Sequence, residues 1–246
     1  MTARKLTDAY RLEQRVRRAF GTGIKEFTLI EPGDHILVGL SGGKDSMALV
    51  ELMGEYARRH NHSFRVDALH VRMGNVDYRS DVAYLQDFAA SCGCGFHLRE
   101  TSFARDRNAK RSPCFLCSWN RRKLLFETAQ ELGCGKIALG HHRDDILRTA
   151  MMNLTFAGSF ATMPVKLRMR KFPVTIVRPL CGVDEADLKR WAEIRNYQPL
   201  VKVCPYDRAS NRTSIEEVLD CMQRLSPEAR HSLWHALQKE GKLVES

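Results

Sequence analysis

The sequence predicts an α/β fold: a doubly wound parallel sheet with helices on both faces and helical extensions at each end. Three observations predict it. Apolar runs of strand length alternate with helix-period segments over residues 35–156. The stretch Ser41-Gly42-Gly43-Lys44-Asp45-Ser46 joins the first strand-like run directly to the first helix-like one. A second polar cluster, Gly140-His141-His142-Arg143-Asp144-Asp145, follows a later strand in the same way. In such sheets ligands bind at the carboxyl ends of the strands, where both clusters fall.

Residues 1–30 read as a basic helical extension with a broken apolar stripe of Tyr10, Leu12, Val16 and Phe20. Pro32-Gly33-Asp34 is a turn before the first strand, 35–40. A helix over 45–59 and a second strand over 64–71 follow. Ser80-Asp81 can cap a helix running to about 92, ahead of a third strand over 96–101. Residues 104–112 are polar and basic, a loop. Leu124, Leu125, Ala129 and Leu132 mark a helix over 118–132 that stops at Gly133. The fourth strand is 136–139, and a helix over 144–156 ends at Ala157-Gly158-Ser159. Residues 165–180 hold two strand-like pieces broken by Pro173. Asp184 caps a helix to about 195, and 197–210 is a loop. Thr213 caps a helix to 225, with Glu216 completing a capping box, and 227–239 is the last helix.

With 246 residues, 43% of them hydrophobic, the chain can build one α/β domain with extensions. No run of 18 apolar residues exists, and the charged N-terminus lacks the apolar centre of a secretory signal, so no membrane partner and a cytoplasmic location are expected. The formal charge of +10 is concentrated in Arg15-Val16-Arg17-Arg18, Arg105 to Arg111, Arg121-Arg122-Lys123 and Lys166 to Lys171. A polyanionic partner, usually nucleic acid, matches that charge. Eight cysteines in such a chain are not expected to form disulfides. Cys134, Cys181 and Cys221 read as buried thiols, and Cys92 and Cys94 as structural residues at a helix-to-strand turn.

The glycine turn is a phosphate cradle. Small residues let backbone N–H groups approach an anion, the helix start adds partial positive charge, and Lys44 adds a full one. It is not a Walker A loop: Val38 stands where the first glycine is needed, and Asp45 follows the lysine. No Gly-x-Gly-x-x-Gly occurs. In the second cluster, Asp144 or Asp145 is suited to hold a Mg²⁺ on a triphosphate. Cys114-Phe115-Leu116-Cys117 can bind one metal centre, with Cys204 a further thiol. By spacing alone this is an iron–sulfur site, a zinc site completed by histidine, or a redox dithiol.

Ser41 to Ser46 resembles the PP-loop of ATP pyrophosphatases. Taken with Cys114 to Cys117, Arg121-Arg122, Ala138 to Leu147 and Val177-Arg178-Pro179-Leu180, the chain resembles the tRNA 2-thiocytidine synthetase family from about residue 15 to 235. The resemblance implies an adenine nucleotide α-hydrolase-like fold. Its parts would be an extension over 1–30, a PP-loop catalytic domain over 31–182, and a helical region over 183–246. It implies ATP on Ser41, Gly42, Gly43, Lys44, Asp45, Ser46 and Gly140, with His70 in the same set, and Mg²⁺ near Asp45 and Asp144. Asp45, Arg121 and Asp144 form the implied catalytic set, and Cys114, Cys117 and Cys204 the ligands of a [4Fe–4S] cluster. The implied partners are tRNA, a sulfur donor (sulfide or persulfide from a cysteine desulfurase) and a second copy in a homodimer. The implied reaction adenylates the C2 oxygen of a pyrimidine and replaces it with sulfur. Cys204-Pro205-Tyr206 looks more like the related tRNA 2-thiouridine synthetases, so that product is the alternative, with a lysidine-synthetase-like ligase a third reading.

Overall fold

The computed structural model describes residues 3–74, 78–79, 81–103, 112–198, 201–202 and 212–245. In chain order its elements begin α1 (Ala3–Glu26), β1 (His35–Gly39), α2 (Lys44–Arg59), β2 (Arg65–Met73), β3 (Tyr78–Arg79), α3 (Val82–Ser91), β4 (Gly95–Thr101) and α4 (Pro113–Glu131). They continue β5 (Lys136–Ala138), α5 (Arg143–Ala157), β6 (Lys166–Arg168), β7 (Thr175–Val177), α6 (Glu185–Ile194), β8 (Val201–Lys202), α7 (Arg212–Leu225), α8 (Ala229–Lys239) and β9 (Val244–Glu245).

Seven strands form one sheet in the order β4-β2-β1-β5-β7-β6-β9. From β4 to β7 every neighbouring pair is parallel, while β6 runs antiparallel to β7. The chain winds outward from β1 through β2 to β4, then returns across α4 to place β5 on the other side of β1. The order reverses between β1 and β5, and their carboxyl ends carry the two predicted clusters. This is the crevice where doubly wound sheets bind ligands.

Strand alternation divides the core into two layers. Ile36, Val38, Ala68 and Ala138 face a layer with α1, α2, α5, α6 and α8. Leu37, Leu69 and Ile137 face the opposite layer, where Phe126 and Ala129 of α4 cover them. Phe126 stacks on Phe172, ring centroids 4.8 Å apart. The stripe of α1 enters the main core through Leu12, Val16, Phe20 and Ile24, whereas Tyr10 points outward and is 63% exposed. Cys92, Cys94, Cys134 and Cys181 are buried as expected, but Cys221 is exposed. The buried face of α7 is Ile215 and Leu219, one turn apart, and Cys221 lies off it.

Two boundary differences bear on the site. The helix expected to start at 118 starts at Pro113: Ser112 caps it by accepting from the Phe115 N–H at 3.3 Å, and Pro113 occupies the first helical position. Cys114 and Cys117 are therefore on the first turns of a helix, not in a loop. The stretch read as loop 197–210 contains β8, which pairs with β3 in register Tyr78↔Lys202. That pairing carries Lys202, two residues before Cys204, to the chain just past the carboxyl end of β2.

Asp81 caps α3 as expected, accepting from the Tyr84 N–H at 3.1 Å. Asp184 holds the cap position of α6 but makes no cap bond, and its carboxylate pairs with Arg143. The side chain of Thr213, the expected cap of α7, lies outside the described residues, and Glu216 of that motif is engaged elsewhere. Its two oxygens take Arg148 at 2.8 Å and Arg230 at 2.6 Å. Among the described residues no helix is long and apolar enough to cross a membrane.

Candidate active site

The loop after β1 is shaped before any ligand arrives. Gly42 has φ +82°, a left-handed conformation that favours glycine. The Ser46 hydroxyl donates to the Gly43 carbonyl at 2.9 Å and accepts from the Ser41 N–H at 3.1 Å, so it ties the two ends of the turn together. Lys44 opens α2, its ammonium 2.9 Å from Asp45 and 3.6 Å from Glu185. His70 is buried beneath the loop, its Nδ1 2.9 Å from the Leu40 carbonyl. A carbonyl only accepts, so Nδ1 carries the proton. His70 thus supports the turn from below.

Gly140 is where the second cluster meets the first. A Cβ there would lie 3.1 Å from the Asp45 carbonyl carbon and from the Ser46 nitrogen. The absence of a side chain lets the β5 loop rest directly on the start of α2. The resulting cavity of about 630 Å³ is lined by Ser41, Gly43, Asp45, Ser46, Gly140, His141 and Asp145, with Arg148 on its wall. A second, more apolar slot of about 260 Å³ shares Gly39, Ser41 and Leu139 with it. Leu69, Val71 and Leu125 complete its greasy surface, and Ser118, Arg121 and Arg122 of α4 form its polar wall.

The adjacent carboxylates of the second cluster diverge. Asp145 lines the cradle, paired with Arg148 at 3.1 Å and with the N–H of His142 at 3.3 Å. Asp144 faces away and is 8% exposed. One of its oxygens accepts the Glu185 N–H at 2.7 Å, capping α6, and the other takes Arg230 at 2.7 Å. Asp144 therefore clamps α5, α6 and α8 together behind the cradle. Both carboxylates were suited to a cation by sequence; the structure puts the one at 145 on the cavity.

Sequence reasoning passed over the charges around these aspartates. Arg148 bridges Asp145, Glu185 and Glu216, so it ties the cradle wall to α7. Burial works against charge on Glu185, yet Lys189, Lys44 and His142 hold its carboxyl down to about 2. Burial likewise opposes charge on Glu216, and the Arg230 and Arg148 contacts keep it below the usual carboxylate range. A repeated three-or-four-residue spacing could have found Asp145–Arg148, but nothing local marks Glu216 as its partner.

Arg178, from the Val177-Arg178-Pro179-Leu180 match, is 7% exposed, and among the described residues no carboxylate pairs with it. Its Nε donates to His141 Nδ1 at 3.2 Å and its Nη1 to the Pro164 carbonyl. Burial, with the neighbouring Arg122 charge, pulls its pKa down to about 10. Because a guanidinium only donates, Nδ1 of His141 is an acceptor, and the proton of the neutral ring sits on Nε2. His141 thus enters the cradle wall as a neutral ring with a fixed tautomer.

Cys114 is exposed and Cys117 half-buried. Three residues apart on α4, they lie on one side of it, and Cys117 and Leu116 pack against Met73 and Phe103 at the ends of β2 and β4. Arg121, one turn further along, reaches the slot. Cys204 and the basic run Arg105 to Arg111 lie outside the described residues. Among the described residues no three His, Cys, Asp or Glu side chains converge as a metal site.

A PP-loop domain model matches residues 12–215. The tRNA-cytidine(32) 2-sulfurtransferase of Verminephrobacter eiseniae is 34% identical over 242 residues, covering 96% of this chain and 76% of the relative. That of Aeromonas salmonicida is 35% identical, covering 93% and 76%. In fold, the chain is similar to the U34-tRNA thiolase NcsA from Methanococcus maripaludis, solved with its [4Fe-4S] cluster. That match has TM-score 0.74 at 24% identity, covering 96% of this chain and 81% of that one. With its PP-loop domain and its identity to these relatives over nearly its whole length, this chain belongs to the tRNA-cytidine(32) 2-sulfurtransferase family.

Proposed function

We propose that this chain is an ATP-dependent tRNA sulfurtransferase that converts a cytidine of the anticodon loop to 2-thiocytidine, at position 32 as its relatives' names state. The observation that carries the reading is the shared wall between cavity and slot. The phosphate cradle and the slot lined by the α4 residues just past Cys114 and Cys117 adjoin each other across Gly39, Ser41 and Leu139.

The residues divide the work. The apolar slot of Leu69, Val71 and Leu125 suits an adenine ring, and the Ser41–Ser46 turn suits the phosphates of the same nucleotide. Asp45 and Asp145 offer the hard oxygen donors that a Mg²⁺ on the triphosphate requires. Lys44 exchanges its Asp45 contact for a phosphate oxygen. His141 donates its Nε2 proton to an oxygen of the reacting phosphate while Arg178 holds its other nitrogen. The pyrimidine C2 oxygen attacks the α-phosphorus, pyrophosphate leaves, and the C2–O bond becomes breakable because AMP is a good leaving group. Arg121, which lines the slot, would stabilise the negative charge that develops on that oxygen as AMP leaves.

The thiols fit an iron–sulfur group in their chemistry. Cys114 is exposed and Cys117 half-buried at one helix start, while Cys92, Cys94, Cys134 and Cys181 are sequestered. Cys114, Cys117 and Cys204 would hold the cluster, which when bound supplies an iron able to carry the incoming sulfur to C2. The base must leave its stack to reach this space, which is easiest in a single-stranded loop.

Purified, anaerobically reconstituted protein incubated with ATP, Mg²⁺, sulfide and unmodified tRNA tests the reading. It should release pyrophosphate in a tRNA-dependent way and form 2-thiocytidine. Cys114→Ala should abolish thiolation. A cluster-free Cys114→Ala protein that still thiolates tRNA would refute the role given to the cysteines.

A further inference from the structure

α4 changes character along its length. Phe126 on its inner side is 4% exposed, stacked on Phe172, but two and three turns toward the helix start the same side carries Trp119 and Phe115. Trp119 is 50% exposed and Phe115 41%. The chain's other tryptophans differ: Trp191 is 1% exposed, and Trp234 packs against the main core. A tryptophan left half-exposed on a rigid helix, with a second partly exposed aromatic ring one turn before it, needs a reason beyond folding.

Their surroundings select the occupant. From Ser112 to Phe126 the chain holds three basic residues and no acidic one. Arg122 is exposed, and Lys123 Nζ stands 5.9 Å from the centre of the Trp119 ring and 3.6 Å from Glu127 one turn on. The sequence just before, Arg105 to Arg111, adds four more basic residues against one acidic residue, Asp106. By contrast, the run Arg15 to Arg18 is partly neutralised within the fold, Arg15 by Asp187 at 2.6 Å and Arg17 by Glu55 at 2.7 Å. Flat aromatic faces interleaved with cations are the surface on which unpaired nucleic-acid bases stack while their phosphates are neutralised.

We infer that Phe115 and Trp119 are a stacking platform for unpaired bases of the RNA loop, next to Cys114 on the same helix, with Arg122 and Lys123 taking adjacent phosphates. This rests on the tRNA reading above and adds to it the element that seizes the loop. Stacking holds the flanking bases, so the target base can turn toward the phosphate cradle, which adjoins the slot that Arg121 and Arg122 line.

The test uses the full chain and a hairpin RNA with a cytidine in its unpaired loop, at fixed salt, with affinity read by anisotropy and tryptophan emission recorded in parallel. Trp119 is the exposed tryptophan, so hairpin binding should quench the emission, and a fully paired duplex should not. Trp119→Ala should weaken hairpin binding roughly 5- to 150-fold, the range for losing one base–aromatic stack, and Trp119→Phe should restore most of it. ATP affinity should not change. Arg122→Ala should instead flatten the salt dependence, because it removes a phosphate contact. Hairpin affinity unchanged in both Trp119→Ala and the double variant Phe115→Ala/Trp119→Ala would overturn the platform while leaving the tRNA reading intact. Quenching by an acidic peptide but not by the hairpin would overturn it in favour of a protein partner. A wild-type protein that binds neither hairpin nor intact tRNA would overturn the tRNA reading itself.

Discussion

Asn substitutions at positions 144 and 145 should have opposite consequences, although the two aspartates are neighbours. Asp144 is 8% exposed and accepts two hydrogen bonds at 2.7 Å, from the Glu185 N–H and from Arg230. Removing one partner of a buried ion pair costs about 3–5 kcal/mol when the other charge is stranded. Here Arg230 keeps Glu216 at 2.6 Å and Asp220 at 3.0 Å, so it is not stranded. What is lost is one hydrogen bond between charged groups, about 1.5–3 kcal/mol. For a chain of this size that lowers Tm by roughly 3–12 °C. Nucleotide affinity should be nearly unaffected. Asp145 is on the cavity, so Asp145→Asn should leave Tm within a few degrees, since asparagine can still accept the His142 N–H. It should lower pyrophosphate release at least about 10–100-fold through weakened Mg²⁺ binding. Differential scanning fluorimetry and a pyrophosphate-release assay on both variants decide the matter. Wild-type Tm with lost activity in Asp144→Asn, beside an active Asp145→Asn, would refute the division of roles.

Three further outcomes are expected. Glu185 has a folded pKa of about 2 against an ordinary 4.5, so its stabilising contribution is complete above pH 4.5 and is lost as pH falls toward 2; Tm should drop through that window, and Glu185→Gln should flatten the drop. Burial pushes the thiols of Cys92 and Cys134 up to about 11 and those of Cys94 and Cys181 up to about 12, so iodoacetamide at pH 8 should label Cys114 and Cys221 and spare those four in the native protein. Peptide mapping reads this, and equal labelling of the buried four would contradict the packing described. Gly140→Ala should weaken ATP binding in calorimetry, because its Cβ would press on Asp45 and Ser46 backbone at 3.1 Å and cost about 1–3 kcal/mol of overpacking; Gly21→Ala, with nothing within 4 Å, is the control and should bind ATP normally.

Features that depend on near neighbours in sequence were legible. The strand–turn–helix at Ser41 to Ser46, the alternation that builds the sheet, and the burial of Cys134 and Cys181 all follow from local pattern. Local pattern also misled. Cys114 and Cys117 lack helical periodicity, so the apolar spacing starts the helix at 118, although Ser112-Pro113 is itself a start signal. Tyr10 and Cys221 are apolar residues one step off their helices' buried stripes. Long-range pairs were invisible. Nothing around Glu216 says that it meets Arg148, 68 residues away. Likewise Asp144 and Asp145 are chemically identical in sequence, and only the docking of α6 and α8 turns one inward.

The most direct test of the account is mass spectrometry of nucleosides from total tRNA in the source organism, with and without this gene. The account predicts that 2-thiocytidine disappears on deletion and returns with the intact gene but not with Cys114→Ala or Asp145→Asn. Unchanged 2-thiocytidine in the deletion strain would contradict it, and loss of 2-thiouridine instead would contradict the assigned base.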